Sequence, residues 1–214
     1  HDDELRPHSL LEVAKVINRN PNAQLIYSDE DKVDELGRRY DPYFKPDWNP
    51  DLLLGQNYIC HLSTFKTSLV KELKGLRKGF EGAQDWDLTL RATEKLSRKS
   101  IIHIPKVLYH WRAIEGSTAS GVRQKKNIFE ATTLTIKQAL ERRGLNASLS
   151  FPDTRYNYPR IGFRIDKRQN PKVSILIPTK DRVDLLQKCI SSILKNISYN
   201  NYEVIVIDNE SVES

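Results

Sequence analysis

Three acidic groups in the first half of the chain have residue types suited to cation or proton chemistry. Asp2 and Asp3 stand at the start, Asp29-Glu30-Asp31 follow the short apolar run Leu25-Ile26-Tyr27, and Asp85 and Asp87 open a helical pattern. Paired carboxylates suit a hard cation such as Mg2+ or Mn2+, which takes oxygen ligands and shares them with substrate phosphates. A carboxylate at a helix N-terminus stays ionised at neutral pH, so Asp85 qualifies as a general base toward a hydroxyl. Each group also has a plainer reading: Asp2-Asp3 as a solvated turn, and Asp85 with Asp87 as charges that complement a helix dipole. His110, between Tyr109 and Trp111, reads either as a neutral-imidazole metal ligand or as a packed, hydrogen-bonded histidine.

The elements that must hold these groups read as α/β. Ser9 is placed to cap a helix on Leu10, Leu11, Ala14, Val16 and Ile17, which Asn20-Pro21 ends. The strand at 25–27 is expected to stop at the acidic cluster. Residues 37–50, with Pro42, Phe44, Pro46 and Trp48, read as an ordered loop of the kind that walls a site. A strand is expected over 58–62, then a helix over 84–96 whose Leu88, Ala92 and Leu96 make one buried stripe with Asp85 on its inward face. Two strands joined at Pro105 (101–104 and 107–111) and a helix on Phe129, Thr132, Ile136 and Ala139, ended by Gly144, complete this part.

The composition changes over 148–171, a stretch of prolines, tyrosines and arginines that marks a module boundary. Beyond it, the apolar runs 173–177 and 204–207 flank a helical pattern on Leu185, Leu186, Cys189, Ile190 and Ile193, a β-α-β unit with buried strands. Ligands of such sheets bind beyond the carboxyl ends of the strands, which singles out Thr179, Asp181 and Asp208. Asp208 has a plainer reading as the cap of a following helix.

With 38% apolar and 29% charged residues the chain is globular, and its 214 residues suffice for one ordinary domain or pieces of two. No apolar run approaches the roughly 20 residues of a membrane span. The absence of an export signal, and two cysteines in apolar surroundings (Cys60 and Cys189), lead to an expected cytoplasmic, reducing location. Lys and Arg, 34 against 28 acids for a net +6, are spread without a recognition motif, which argues against nucleic acid as a partner. With no methionine, and with Asp208-Asn209-Glu210-Ser211 directly after an apolar strand, the chain is expected to be a fragment cut at both ends.

Longer strings carry a resemblance. His1-Asp2-Asp3-Glu4-Leu5 resembles the remainder of an Asp-His-Asp-Asp form of the DxD motif. Tyr27-Ser28-Asp29-Glu30-Asp31-Lys32, Phe44-Lys45-Pro46-Asp47-Trp48, Asn57-Tyr58 and Gly82-Ala83-Gln84-Asp85-Trp86-Asp87-Leu88-Thr89-Leu90-Arg91 are together similar to the second half of a family 2 glycosyltransferase of GT-A fold. The match resembles the tandem enzymes that build bacterial O-antigens, capsules and related surface glycans. Tyr109-His110-Trp111-Arg112 and Gly116-Ser117-Thr118-Ala119 resemble the end of such a module. The strings 173–182 and 203–211 resemble the opening of another copy, with Glu210 where the family has glycine.

The resemblance implies a truncated GT-A, Rossmann-like half-module over 1–147, a linker over 148–171, and the β-α-β start of a second GT-A module over 172–214. It assigns Asp2 and Asp3 to a divalent cation, Mg2+ or Mn2+, and the donor diphosphate, with His110 as a third metal contact. Asp85 becomes the base of an inverting displacement that moves sugar from a nucleotide-sugar donor to a glycan or lipid-linked acceptor. Asp87 is structural, Trp86 and Trp111 wall the sugar pockets, and Asp29 to Asp31 face donor or acceptor. Thr179, Asp181 and Asp208 line a nucleoside site. The implied setting is surface-polysaccharide synthesis at the cytoplasmic face of a membrane, to which the positive balance lends a weak peripheral attraction. With neither site whole, the isolated chain is expected to be inactive. Two other readings compete: a non-catalytic carbohydrate- or partner-binding module of GT-A shape, and a metal-dependent phosphohydrolase, whose denser His/Asp clusters are missing.

Overall fold

The run Leu25-Ile26-Tyr27 opens a strand, β2 (Leu25–Val33), that continues through Asp29-Glu30-Asp31 instead of stopping there. In the computed structural model, which describes residues 3–112, 126–153, 157–164 and 170–212, all three acids are buried. Consecutive buried carboxylates are tolerated only with partners, and each has them. Asp29 accepts from the Lys45 amide at 2.9 Å and faces His103 Nε2 at 2.8 Å. Glu30 accepts from the His61 amide and faces Lys45 Nζ at 3.5 Å, and Asp31 faces His110 Nδ1. All these partners come from distant sequence, so the local pattern at 25–31 gave no sign of them.

The chain forms two units, His1–Arg164 and Ile165–Ser214. In the first, β2 is the centre of a mixed five-stranded sheet. One edge of β2 runs parallel to β5 (Ile101–Arg112), a single strand rather than two. Pro105 has no amide to donate, and the ladder absorbs it as a register shift between Ser28 and Asp29. On its other side β5 pairs antiparallel with β1 (Glu4–Leu5). The remaining edge of β2 carries β4 (Ser63–Phe65) beside its first half and β3 (Arg39–Tyr43) beside its second, both antiparallel. The expected loop at 37–50 is thus partly strand, and the strand expected over 58–62 is irregular, its neighbour β4 making the pairing instead.

Alternation along β2 sorts the core. Leu25 and Tyr27 join Leu53, Tyr58, Trp86, Leu90 and Ile136 on one face, while Ile26 joins Val13, Ile104 and Leu108 on the other. The first face is covered by α2 (Pro50–Gly55), α4 (Gln84–Thr93) and α5 (Lys126–Arg142), with α3 (Thr67–Glu72) between α2 and α4 in sequence. The second is covered by α1 (Ser9–Arg19). Ser9 is not its cap: His8 holds that position, and the buried Ser9 hydroxyl donates to the Leu108 carbonyl at 2.7 Å, tying α1 to β5. The α2 start is capped in the ordinary way, with the Asn49 side chain accepting from the Asp51 and Leu52 amides. Residues read from composition as linker also fold: β6 (Ala147–Ser150) and β7 (Arg160–Phe163) pair antiparallel, and Leu149 and Ile161 pack on the main core.

The second unit is the expected β-α-β: β8 (Val173–Thr179) and β9 (Tyr202–Asp208) run parallel with α6 (Val183–Asn196) between them. Its strands were expected to be buried, but α6 has no buried residue and Leu176, Leu185 and Ile207 are exposed, because two strands and one helix cannot enclose both sheet faces. Cys189 is likewise exposed, while Cys60 is buried as expected. Among the described residues no helix is long and apolar enough to cross a membrane.

Candidate active site

The parallel strands β2 and β5 end side by side, with Asp31 opposite His110 and Lys32 opposite Trp111. At this end opens a cleft of about 490 Å3. β2 supplies Glu30 and Asp31 to its wall, β3 supplies Tyr43, and the segment after α2 supplies Asn57, Cys60 and His61. The start of α4 contributes Asp85 and Trp86, the end of β5 Trp111, and the segment before β7 Asn157 and Tyr158.

Asp85 lies in the first turn of α4, and the helix start is clamped on either side of it. Trp86 Nε1 donates to the Leu53 carbonyl at 2.7 Å, and Asp87, fully buried, takes hydrogen bonds from Arg77 and Arg91. Immediately before the helix, Gly82 has a φ of +94°, and a Cβ there would meet Ile128 Cγ1 at 2.9 Å, so glycine is required where the turn passes α5. Asn57 Nδ2 donates to Asp85 Oδ2 at 3.0 Å. The Cys60 thiol pairs with the Ser63 hydroxyl at 3.9 Å, and burial first, then the charge of Asp85, push its pKa up and keep it a neutral S–H.

The cleft carboxylates differ in their partners. Glu30 faces Lys45, whose own pKa burial pushes down, and Asp31 faces His110 with Arg39 Nε at 3.7 Å. Asp41 is paired with Lys32 Nζ at 2.7 Å. Asp85 alone of the four has no cation paired with it among the described residues; its carboxylate takes the neutral Asn57 amide.

Of the expected metal residues, Asp2 lies outside the described residues, as does the 116–119 string. Asp3 accepts from the Tyr109 hydroxyl at 2.5 Å and from the Arg112 amide at 3.0 Å. It joins the cleft wall indirectly, since the Tyr109 ring stacks on His61 at 4.8 Å and Trp111 lies 5.7 Å from His61. His110 is buried with Nδ1 engaged by Asp31. Both Asp3 oxygens and one His110 nitrogen are thus taken by protein groups, and among the described residues no group of three or more His, Cys, Asp or Glu side chains could hold a metal ion. Asp29 points away into its bonds with Lys45 and His103, whereas Glu30 and Asp31 reach the cleft. Cys60, His61, Asn157 and Tyr158 had no signal in the sequence beyond a cluster of tyrosines; Asn57 stood only in a motif.

In the second unit Thr179, Asp181 and Asp208 do come together. Thr179 and Asp208 are register partners at the carboxyl ends of β8 and β9, and the Asn209 amide donates to the Thr179 carbonyl at 2.9 Å. Ser211 links the rest: its hydroxyl bonds Asp208 and accepts from the Asp181 amide at 2.9 Å, while its own amide donates to Asp208 Oδ2 at 3.2 Å. This is the geometry of a cap. These hydrogen bonds hold the Asp208 carboxyl below the usual carboxylate range. Glu210, standing where the resemblance has glycine, adopts a φ of +57°.

Residues 174–214 match the model of glycosyl transferase family 2. The chain is 44% identical over 215 aligned positions to the uncharacterized protein y4gI of Sinorhizobium fredii (strain NBRC 101917 / NGR234), covering 100% of this chain and 23% of that protein. It is 40% identical to the O-antigen biosynthesis protein RfbC of Myxococcus xanthus, covering 98% of this chain and 16% of that protein. The chain therefore spans less than a quarter of either relative. The matched segment and the similarity to the O-antigen biosynthesis protein together support a glycosyl transferase family 2 reading of the chain.

Proposed function

We propose that the cleft of the first unit is the acceptor side of an inverting glycosyltransferase with Asp85 as its general base. The observation that carries this reading is the isolation of Asp85 from cations at a clamped helix start, in a cleft walled by Trp86 and Trp111. Asn57 orients the carboxylate. As the acceptor oxygen attacks the anomeric carbon of the donor sugar, its proton passes to Asp85 and the bond from that carbon to the nucleoside diphosphate breaks, so one displacement inverts the centre. The donor is a nucleotide sugar, and the acceptor a glycan or lipid-linked sugar. The O-antigen role of the Myxococcus relative supports surface-polysaccharide synthesis as the setting, at the cytoplasmic face of a membrane with peripheral attachment.

Thr179, Asp181 and Asp208 are proposed as nucleoside contacts of a second module, supported by the family match over 174–214. A divalent cation, Mg2+ or Mn2+, held by Asp2 and Asp3 with His110, rests on the motif resemblance alone. The module limits 1–147, 148–171 and 172–214, and the inactivity of the isolated chain, belong to the same reading. The test is Asp85→Asn in the full-length protein. Transfer should fall by about 10²–10⁴-fold, with nucleotide-sugar affinity by calorimetry retained. A variant that keeps more than about a tenth of the wild-type rate removes Asp85 from the role of base.

A further inference from the structure

Five buried side-chain polar atoms among the described residues have no hydrogen-bond partner: Arg6 Nε, Asn57 Oδ1, His61 Nδ1, Thr135 Oγ1 and Asn157 Oδ1. Three of them belong to residues that wall the one cleft. Folded proteins pair nearly all such atoms, so a cluster of exceptions around a cavity marks where a ligand supplies the missing partners. Asn57 and Asn157 share a design. Each amide nitrogen is engaged, by Asp85 Oδ2 at 3.0 Å and by Thr132 Oγ1 at 2.5 Å, which leaves each amide oxygen as a fixed acceptor. His61 Nδ1, 3.6 Å from Glu30 Oε2, is a third polar position.

The surroundings decide what kind of ligand fits. Acceptor oxygens beside the Asp85 carboxylate, the one cleft acid without a cation paired to it among the described residues, favour hydroxyl donors over phosphate. At the mouth, Tyr158 is 54% exposed, and Tyr43 lies near enough to feel its hydroxyl. Aromatic faces give the C–H face of a pyranose an apolar bed while their hydroxyls stay wet.

We propose that Asn57, Asn157 and Tyr158 form a subsite for an uncharged pyranose, which donates hydroxyls to the two amide oxygens and lies on the Tyr158 ring. Asn157 and Tyr158, immediately before β7, are then specificity residues of the cleft. Only the naming of this sugar as the acceptor rests on the Asp85 reading; the subsite stands or falls by binding.

The experiment is a fluorescence titration of the 214-residue chain, in which Trp86 and Trp111 wall the cleft and report its occupancy. The probes are methyl α-D-mannopyranoside, methyl β-D-glucopyranoside and methyl α-L-rhamnopyranoside, with inorganic pyrophosphate as competitor. At least one glycoside should saturate the signal, and pyrophosphate should not displace it. Tyr158→Ala and Asn157→Leu should each weaken that glycoside about tenfold or more, with melting temperature unchanged for the half-exposed Tyr158. Leu134→Ser, on the exposed side of α5, should leave binding as it is. The subsite is overturned if no glycoside saturates, if pyrophosphate displaces the sugar, or if Tyr158→Ala binds like wild type. Weakened glycoside binding in these variants together with undiminished transfer in Asp85→Asn would remove the base and keep the subsite; the opposite pair of results would do the reverse.

Discussion

Removing the Asp87 carboxylate should be among the most destabilising single changes in the first unit. The side chain is fully buried and accepts from Arg77 Nε at 3.0 Å, from Arg77 Nη2, and from Arg91 Nε at 2.9 Å. The two arginines do not weigh equally. Arg77 has 33% of its side chain exposed and can turn to water, so its share is discounted for screening. Arg91 is only 10% exposed and also donates to the Leu73 and Gly75 carbonyls at 2.8 and 2.7 Å, so it cannot leave without breaking both. Asp87→Ala therefore strands a buried guanidinium, a situation that costs about 3–5 kcal/mol. Asp87→Asn keeps the volume and one acceptor and should cost about 2 kcal/mol.

All three tryptophans, Trp48, Trp86 and Trp111, lie in this unit, so urea unfolding followed by tryptophan fluorescence isolates it. With a slope of about 2 kcal/mol per molar, Asp87→Ala should move the midpoint down by about 2 M. Pairing it with Arg91→Met should recover more than about 1 kcal/mol, because the stranded charge goes too. A loss under about 1 kcal/mol for Asp87→Ala would show that the triad does not hold the helix start, and with it the account of how Asp85 is presented.

Two further expectations concern the second unit. Glu210 pays the usual cost of a side chain in left-handed backbone, so Glu210→Gly should be neutral or stabilise the unit by up to about 1 kcal/mol in thermal unfolding; a loss of that size would mean the Glu210 side chain holds the loop. The Asp208 carboxyl should titrate below the usual carboxylate value by NMR, and Ser211→Ala should bring it back up, since the Ser211 hydroxyl and amide are the leading causes of the shift. Because the folded value is the lowered one, the stability from this contact is fully present above the ordinary aspartate pKa and fades as pH falls through the folded value. An unshifted titration in the wild-type chain would count against the Ser211 bridge.

Periodic patterns were legible wherever packing follows from them. The spacing of α5 read correctly, because its apolar face is buried on the core. Helix α4 was placed, but it ends at Thr93 and packs on the core through Trp86 and Leu90 and not through a Leu88-Ala92-Leu96 stripe. The runs of β8 and β9 were placed as parallel strands, though not as buried ones. What escaped was structure fixed by distant partners. Nothing local to Asp29-Glu30-Asp31 announces that Lys45, His61, His103 and His110 will satisfy them inside a sheet. Ser9 looks like a cap, but the Leu108 carbonyl claims its hydroxyl. The position of Asp85 at a helix start was legible because a helix start is a local feature. Asn157 and Tyr158 were not, because a proline- and tyrosine-rich stretch resembles a connector until a hairpin folds it onto the core.

The buried acids of β2 explain why the cleft can be so acidic and still be well shaped. A carboxylate inside a sheet costs several kcal/mol unless its hydrogen-bond positions are filled, so each acid of β2 draws a particular segment into place. Asp29 takes the Lys45 amide, and its partner His103 reaches Asp47 at 3.3 Å, which fixes the 44–49 loop. Glu30 takes the His61 amide, while Lys45 Nζ bonds the His61 carbonyl at 2.5 Å, and this sets the 59–62 segment. Asp31 takes His110, which aligns the end of β5 beside Trp111. The acids of β2 thus act as anchors for the walls, and their charge is used up in doing so. Asp85 arrives from a helix whose own anchors are Trp86 and Asp87, so its charge is not used up. Anchoring acids on β2 and one acid at the start of α4 without a cation partner among the described residues thus divide the carboxylates of the cleft, which is the arrangement that the proposed role of Asp85 as base requires.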